Sequence, residues 1–480
     1  MPGQETSGLI RTLGTTESVC PECLRRISAE RIADGDDVFL RKDCPEHGPF
    51  RTILWRGLSS YHAWSEKKLV PSRPVFCSGI SSRGCPFDCG LCSEHRQHTC
   101  CVVLEVTQRC NLSCPVCFAS ANSKHMSDPS VEEIQDWCCT ILNNGGPYNI
   151  QLSGGEPTLR DDLPEIVALV RERGFSFVQL NTNGVRLAQD SEYVRQLKDA
   201  GLGCVFLQFD GVSEGTHQTI RGRDLRQMKD AAIRNCGAHD LGVVLVPTLV
   251  PGVNTGEIGA ILRAAIDYAP IVRAVHFQPV SYFGRYPSPP RDCDRITLPE
   301  VMQGIEEQTS GLFRVKDFYP ASGENALCEF HGKFWLRPGG RVEAAARPAS
   351  SCCEPPIDLG LVQLGSALSD NGEGARLARK FVAQHWSLPR QEPEPNTEPG
   401  IDVSSLDAFL AEGRQSFCIS GMAFQDAWNL DLERLRECFL HVLSPDQKVI
   451  PLCAYNLSAI NGKTLYRPSC SEQQADRIML

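Results

Sequence analysis

Three cysteines spaced by three and then two residues, in the run Cys110-Asn111-Leu112-Ser113-Cys114-Pro115-Val116-Cys117, limit what this chain can build more than any other feature. An iron–sulfur cubane normally takes four thiolates. A local set of three leaves one iron without a protein ligand, as open catalytic metal sites do and closed structural ones do not. The loop follows a strand-like run, Cys101 to Val106, and Ser153-Gly154-Gly155-Glu156-Pro157 ends the next expected strand.

The triplet is not isolated. The chain carries 24 cysteines in 480 residues, grouped at ligand-like spacings rather than spread as a disulfide framework would spread them. Its N-terminus has no basic region followed by an apolar one, so metal binding is a better reading than disulfides. No run reaches about 18 consecutive apolar residues, which predicts no spanning helix and a soluble, cytoplasmic protein. A formal net charge of −10 argues against nucleic acid or an anionic membrane as the main partner.

Two further cysteine groups precede the triplet. Cys20-Pro21-Glu22-Cys23 and Cys44-Pro45-Glu46-His47-Gly48 flank a hairpin-like run, Asp37 to Lys42. This is zinc-ribbon or rubredoxin spacing, with Cys20, Cys23 and Cys44 as ligands. The fourth ligand is open: His47 makes a Cys3His zinc site, and Cys77 makes four thiolates that suit iron. Next, Cys85-Pro86-Phe87-Asp88-Cys89-Gly90-Leu91-Cys92 repeats the spacing of the first triplet. Cys85, Cys89 and Cys92 are therefore assigned to an auxiliary cluster, with Cys77, Cys100, Cys101 or His98 as candidates for its fourth ligand.

From residue 101 onward, strand and helix patterns alternate. Strands are expected at Cys101–Val106, Asn149–Leu152, Phe175–Leu180, Gly203–Phe209, Gly242–Val246 and Val272–Phe277. Helices are expected between them at Val131–Asn143, Leu163–Arg173, Ser191–Ala200, Asp224–Cys236 and Thr255–Tyr268. Ser130, three residues before Glu133, marks one start, and Asp161-Asp162 another. Crossovers this long predict a parallel α/β sheet, a partial (β/α)6 relative of the TIM barrel. Such barrels place chemistry on the loops after each strand. The cysteine triplet, Gly154–Pro157, Asn181-Thr182-Asn183-Gly184, Gln208 with Asp210, Pro247-Thr248 and His276-Phe277 all fall there.

Beyond Gly284 the regularity fades. Residues 386–404, rich in Pro and Glu, read as an exposed linker. Asp431–His441 has helical spacing, and Lys448–Asn456 reads as a short strand and turn. Among the cysteines of this segment, Cys328, Cys353, Cys418 and Cys453 are candidates for a further cluster, with Cys352 and Cys438 nearby and buried inert thiols as the alternative. The expected division is a metal-binding ribbon at 1–75, an auxiliary iron–sulfur segment at 76–100, the barrel at 101–285 and a cysteine-bearing domain at 286–480.

The triplet, the Gly-Gly-Glu-Pro and the strand order together resemble the radical S-adenosylmethionine (SAM) superfamily over residues 100–285. The resemblance implies a [4Fe-4S] cluster on Cys110, Cys114 and Cys117 whose open iron chelates SAM. It also implies SAM contacts from Gly154, Gly155, Glu156 and Pro157, from Asn181 and Asn183 with Gln208 or Asp210, and from Pro247, Thr248 and the backbone near Phe277. The activity implied is reductive cleavage of SAM to a 5′-deoxyadenosyl radical that abstracts hydrogen, with an electron donor such as ferredoxin or flavodoxin. Val116 departs from the aromatic residue many members carry there, and Phe118 is the candidate replacement. The wider layout, including Met422-Ala423-Phe424-Gln425-Asp426 and Pro451-Leu452-Cys453-Ala454-Tyr455-Asn456, resembles the tetraether lipid synthase group and its methanopterin-methylating and bacterial relatives. That resemblance implies functionalisation of an unactivated carbon, with C–C bond formation on a lipid-like substrate as the leading expectation. The rivals are carbon-unit transfer to a pterin or peptide, and an iron–sulfur electron-transfer or assembly protein. An intact SAM cradle argues against the last.

Overall fold

The computed structural model describes residues 10–66, 73–74, 82–121, 127–320, 323–337, 339–345, 373–388 and 415–467. Cys77, Cys352, Cys353 and most of the 386–404 linker lie outside them.

The N-terminal segment is an antiparallel meander of β1 (Arg11–Val19), β2 (Arg26–Asp34), β3 (Asp37–Cys44) and β4 (Gly48–Arg56). The expected hairpin is thus one part of a four-stranded sheet. A meander turns alternately at its two ends, so the β1–β2 and β3–β4 turns share one end and bring Cys20, Cys23, Cys44 and His47 together. The helix α1 (Leu58–Ser65) follows.

The main sheet is built on β5 (Cys101–Thr107), β6 (Asn149–Gly154), β7 (Val178–Thr182), β8 (Cys204–Gln208), β9 (Gly242–Val246), the short β10 (Thr248–Leu249) and β11 (Val272–Pro279). Neighbours from β5 through β9 to β11 are parallel. Between them lie α2 (Val131–Asn143), α3 (Leu163–Glu172), α4 (Val185–Gln189), α5 (Ser191–Asp199), α6 (Glu214–Arg221), α7 (Arg226–Ala238) and α8 (Ile258–Asp267). The Ser130–Glu133 capping box forms, with Glu133 N–H on the serine hydroxyl at 3.2 Å and Ser130 N–H on the glutamate at 2.7 Å. Asp162 does not cap α3; its carboxylate is held by Arg160 instead. Strand positions alternate. Ile150, Leu152, Leu180, Val205 and Leu207 face the helices and form the principal core, whereas Gln151, Gln179, Phe206 and Gln208 face the barrel interior.

The C-terminal part is not a separate sheet. After α9 (Leu298–Gln308) come the antiparallel β12 (Glu329–Arg337) and β13 (Arg341–Ala344), then α10 (Glu373–Trp386) and β14 (Gln415–Met422). β14 pairs in parallel with β11, and β15 (Leu440–Leu443) in parallel with β5, extending the barrel sheet at both edges; β16 (Val449–Pro451) completes one side. The expected helix Asp431–His441 is therefore corrected. Only α11 (Leu432–Arg436) forms, capped by Asp431. Beyond it, Arg96 N–H takes Arg436 O at 2.7 Å and Cys100 N–H takes Phe439 O at 2.8 Å, and these bonds draw the chain into register beside β5. Tertiary pairing overrides a local helical pattern here.

The ribbon docks on this C-terminal segment. The buried Lys42 ammonium donates to Ser18 Oγ (3.0 Å), Val19 O (2.8 Å) and Ala427 O (2.6 Å), and Arg31 forms a paired contact with Asp431 (2.6 and 3.1 Å). At the opposite end of the barrel, α10 closes the strand starts: a Cβ on Gly242 would lie 2.7 Å from Trp386 O. No helix among the described residues is long and apolar enough to cross a membrane.

Candidate functional site

The loops at the C-terminal ends of β5 and β6 touch through glycine. Gly155 N–H donates to Thr107 O (2.8 Å) and Glu156 N–H to Arg109 O (2.7 Å). A Cβ on Gly154, whose φ is +125°, would lie 2.1 Å from Thr107 O, and one on Gly155 2.2 Å from Arg109 O. Only glycine permits this approach. The cysteine loop itself is clamped from far along the chain: Cys117 and Arg285 exchange backbone hydrogen bonds (2.9 and 3.0 Å), and Arg285 Nε donates to Cys114 O (3.0 Å). Arg467, bound to Glu105 and to Asn456, also donates to Ala119 O (3.3 Å).

Glu156 is buried. Its Oε1 accepts from Thr158 N–H (3.1 Å) and from the hydroxyls of Thr158 and Thr182 (both 2.6 Å), and its Oε2 accepts Asn183 N–H (2.7 Å). Among the described residues Oε2 takes this one donor, leaving a lone-pair position for another. Asn183 in turn holds the cysteine loop through Asn111 Oδ1 (2.7 Å). Pro157 starts the short turn that follows.

Asp210 does not line the cavity. It is fully buried in a two-point ion pair with Arg221 (2.6 and 2.7 Å) and accepts Thr248 N–H (3.1 Å). Burial alone would raise this carboxyl, but Arg221 outweighs burial and holds it below the usual range. Arg221, on the helix α6 that the sequence pattern missed, is the partner that reaches the cavity wall and lies against Cys114. Buried Lys229, also absent from the expected set, donates to Asn183 O (2.6 Å), and burial lowers it to about 7. Its place in an otherwise apolar helix face of α7 is the signal that could have found it. Pro247 O accepts Gln278 N–H (2.9 Å). The ring of Phe277 points into the core; its neighbours His276 and Gln278 face the cavity. His276 shares a 2.8 Å hydrogen bond with Ser420, and burial lowers it to about 4, so the ring is neutral at neutral pH.

One cavity of about 320 Å³ runs from Cys110, Cys114 and Cys117, past Gly154, Gly155, Asn181 and Gln208, down the barrel to Trp386. Three soft thiols at its rim suit an iron–sulfur cluster with one open iron. The space beside the glycines and Glu156 admits the polar end of a SAM molecule. Burial pushes the Cys110 thiol up to about 11, so metal must displace its proton on binding.

Cys20, Cys23, Cys44 and His47 place their ligand atoms within 4.8 Å of one another, with Cys44 Sγ 3.4 Å and Cys20 Sγ 3.6 Å from His47 Nδ1. Among the described residues His47 stands where a fourth donor would, and the four groups suit a tetrahedral ion; the alternative Cys77 lies outside the described residues. Cys85, Cys89 and Cys92 are all buried, the first two packed among Leu24, Trp428 and Tyr455. Tyr466 spans their loop, accepting Cys89 N–H (2.8 Å) and donating to Pro86 O (2.6 Å). Cys100 and Cys101 face the barrel cavity instead.

The expected set Cys328, Cys353, Cys418 and Cys453 is not brought together. Cys418 lies on β14 beside Cys204, Phe177 and Phe206, because alternation on that strand turns it into the barrel. Cys353 is outside the described residues. Cys438, outside the expected four, lies near Cys328 and Cys453: burial, then Cys453 and Cys328, push its thiol up, and Arg434 donates to Cys328 Sγ (3.3 Å). Buried Glu324 lies near Cys438 too, its Oε1 without a partner among the described residues. No short spacing marks this set, since its members come from three separate segments.

Comparison with known proteins places these features. A model of the radical SAM superfamily matches residues 104–265, and one of the HMPTM N-terminal zinc ribbon domain matches residues 12–56. The chain is 34% identical to the 7,8-dihydro-6-hydroxymethylpterin dimethyltransferase of Methanocaldococcus jannaschii, over 95% of each chain. It is 38% identical to the Fe-coproporphyrin III synthase of Methanosarcina barkeri over 30% of this chain and 35% of that one. Among solved structures, Streptococcus suis SuiB bound to its precursor peptide SuiA is similar, with 13% identity, a TM-score of 0.38, and coverage of 45% of this chain and 46% of that one.

Proposed function

The chain belongs to the radical SAM superfamily, in the family of the M. jannaschii dimethyltransferase, and from that premise we propose that it transfers a carbon unit to a pterin. The supporting observation is the extent of the likeness. It runs through the ribbon and the C-terminal segment as well as the barrel, whereas the likeness to the coproporphyrin enzyme spans about a third of the chain.

When bound, the cluster and SAM supply a 5′-deoxyadenosyl radical that abstracts hydrogen from carbon. Cys110, Cys114 and Cys117 would hold the cluster. Gly154 and Gly155 let the loops after β5 and β6 close on each other beside the SAM end, and Glu156 Oε2 offers an acceptor for the SAM ammonium. Arg221 offers a guanidinium to a carboxylate, oriented by Asp210. α10 and the sheet keep water from the barrel interior. We further assign Cys85, Cys89 and Cys92 to one auxiliary cluster, and Cys328, Cys438 and Cys453 with Glu324 to another.

The test uses anaerobically reconstituted protein, dithionite and SAM. 5′-Deoxyadenosine is expected, and its absence from a protein with a full cluster complement would reject the assignment of SAM chemistry to this site. With labelled candidates, pterin is expected to gain mass by one or two carbon units. Deuterium passing into 5′-deoxyadenosine from a lipid chain, with pterin unchanged, would replace the pterin reading by the lipid one.

A further inference from the structure

Below the cysteine loop the cavity wall divides by chemistry. β6 and β7 turn Gln151, Gln179 and Asn181 inward and β8 ends on Gln208, a run of carboxamides on adjoining strands. Facing them, α10 sets Trp386 against Phe206, with ring centroids 4.8 Å apart, and 6.2 Å from His276. Gln179 Nε2 donates to Gln151 Oε1 at 2.7 Å. Three side chains of this wall each hold a buried polar atom without a partner among the described residues: Gln179 Oε1, Gln208 Oε1 and Trp386 Nε1. Turning the Gln179 amide end over exchanges its oxygen and nitrogen but still leaves one of them unpaired.

Unpaired buried polar atoms are costly, and a ligand that pairs them gains selectivity over one that does not. An alkyl chain pairs none of the three. We propose that this end of the cavity binds a flat heteroaromatic ring with an amide-type edge. Gln179 and Trp386 read the donors and acceptors of that edge, and Phe206 with Trp386 forms the apolar wall against the ring. Gln151 is a positioning residue, fixing the other amide atom of Gln179. The proposal rests on the pterin reading above and deepens it: the pyrimidinone edge of a pterin sets N–H donors beside carbonyl and ring-nitrogen acceptors, which a carboxamide and an indole N–H complement.

The test measures equilibrium binding of 6-hydroxymethylpterin to the reconstituted holoenzyme with SAM, by fluorescence quenching. Quinoxaline, a fused ring of similar size without the amide edge, serves as competitor. Gln179→Met nearly keeps volume and Trp386→Phe keeps an aromatic ring against Phe206; each removes one polar partner. Each is expected to weaken pterin binding about ten-fold and to erase most of the preference over quinoxaline, a readout that a purely structural role would not move. Iron and sulfide content and the SAM-perturbed spin-resonance spectrum of the reduced cluster identify a correctly folded variant. If wild type binds pterin and neither folded variant is weakened, the recognition assignment falls and the pterin reading stands. If wild type ignores pterin but binds guanine, whose edge is the same, the pterin reading falls and the assignment stands. Binding of neither, with binding of a dialkyl lipid, overturns both.

Discussion

Two cysteine triplets of identical spacing occur 25 residues apart (110 − 85) and meet opposite surroundings. Cys110, Cys114 and Cys117 stand at the rim of the barrel cavity, beside two glycines that no other residue could replace and a carboxylate with an acceptor position left. Cys85, Cys89 and Cys92 are buried beneath the ribbon, away from that cavity, packed with Trp428 and Tyr455 and spanned by Tyr466. Spacing within a loop decides which metal group three thiols can grip. What the group can then reach depends on the neighbours, and these come from elements hundreds of residues away.

The widest separation of the two triplets comes from removing one thiol of each. Cys114→Ala is expected to take 5′-deoxyadenosine formation to background, and Cys89→Ala to lose about four iron atoms while retaining the SAM-perturbed spectrum of the other cluster. Loss of that spectrum in folded Cys89→Ala protein would erase the distinction drawn here. Gly155→Ala is expected to act on the cavity-side triplet alone. Its Cβ would lie 2.2 Å from Arg109 O, so the loop must move, and kcat/KM for SAM should fall about 10²-fold at near-constant iron content.

The buried triplet should be the one that feels the ribbon, since Arg26 Nη1 donates to Cys85 O at 3.2 Å. Lys42→Met leaves two carbonyls and a hydroxyl without their buried donor and is expected to cost about 2–4 kcal/mol, seen in thermal unfolding, with iron lost from the buried triplet first. Retention of iron with unchanged melting would show that the ribbon does not support that site. The smallest effect is the response to acid. Burial holds His95 down to about 4 and His441 well below its ordinary 6.5, and His95 N–H meets Cys92 O at 3.0 Å. Between about pH 4 and 6.5 the unfolded chain binds more protons than the folded one, so stability falls as pH drops through that window. His441→Phe should flatten this slope, measured as denaturant midpoint against pH; an unchanged slope would mean that other groups carry it.

The barrel was legible because its strands and helices have long, regular hydrophobic periods. β9 and α2 match their expected bounds, and the other barrel strands differ by one to three residues at their ends. The ribbon was legible for another reason: both knuckles are local, and a meander must bring them together. The C-terminal segment was not. Asp431–His441 reads as one amphipathic helix, yet the helix stops at Arg436 and the last two residues, Leu440 and His441, open a strand, because β5 offers an edge to pair with and local propensity is weaker than that pairing. Cys418 looked equivalent to Cys438 for the same reason. A single cysteine outside a motif carries no mark of which way its strand will turn it.

The sequence by itself determined that the chain is a radical SAM barrel with a metal ribbon and a second cysteine triplet, since those signals are encoded in contiguous residues. Only the tertiary structure brought His47 beside Cys20, Cys23 and Cys44, put Arg221 rather than Asp210 on the cavity wall, and turned Cys418 toward Phe206 in the barrel. Each of these depends on which side chains distant segments turn toward one another. Packing fixes that choice, and no local spacing records it.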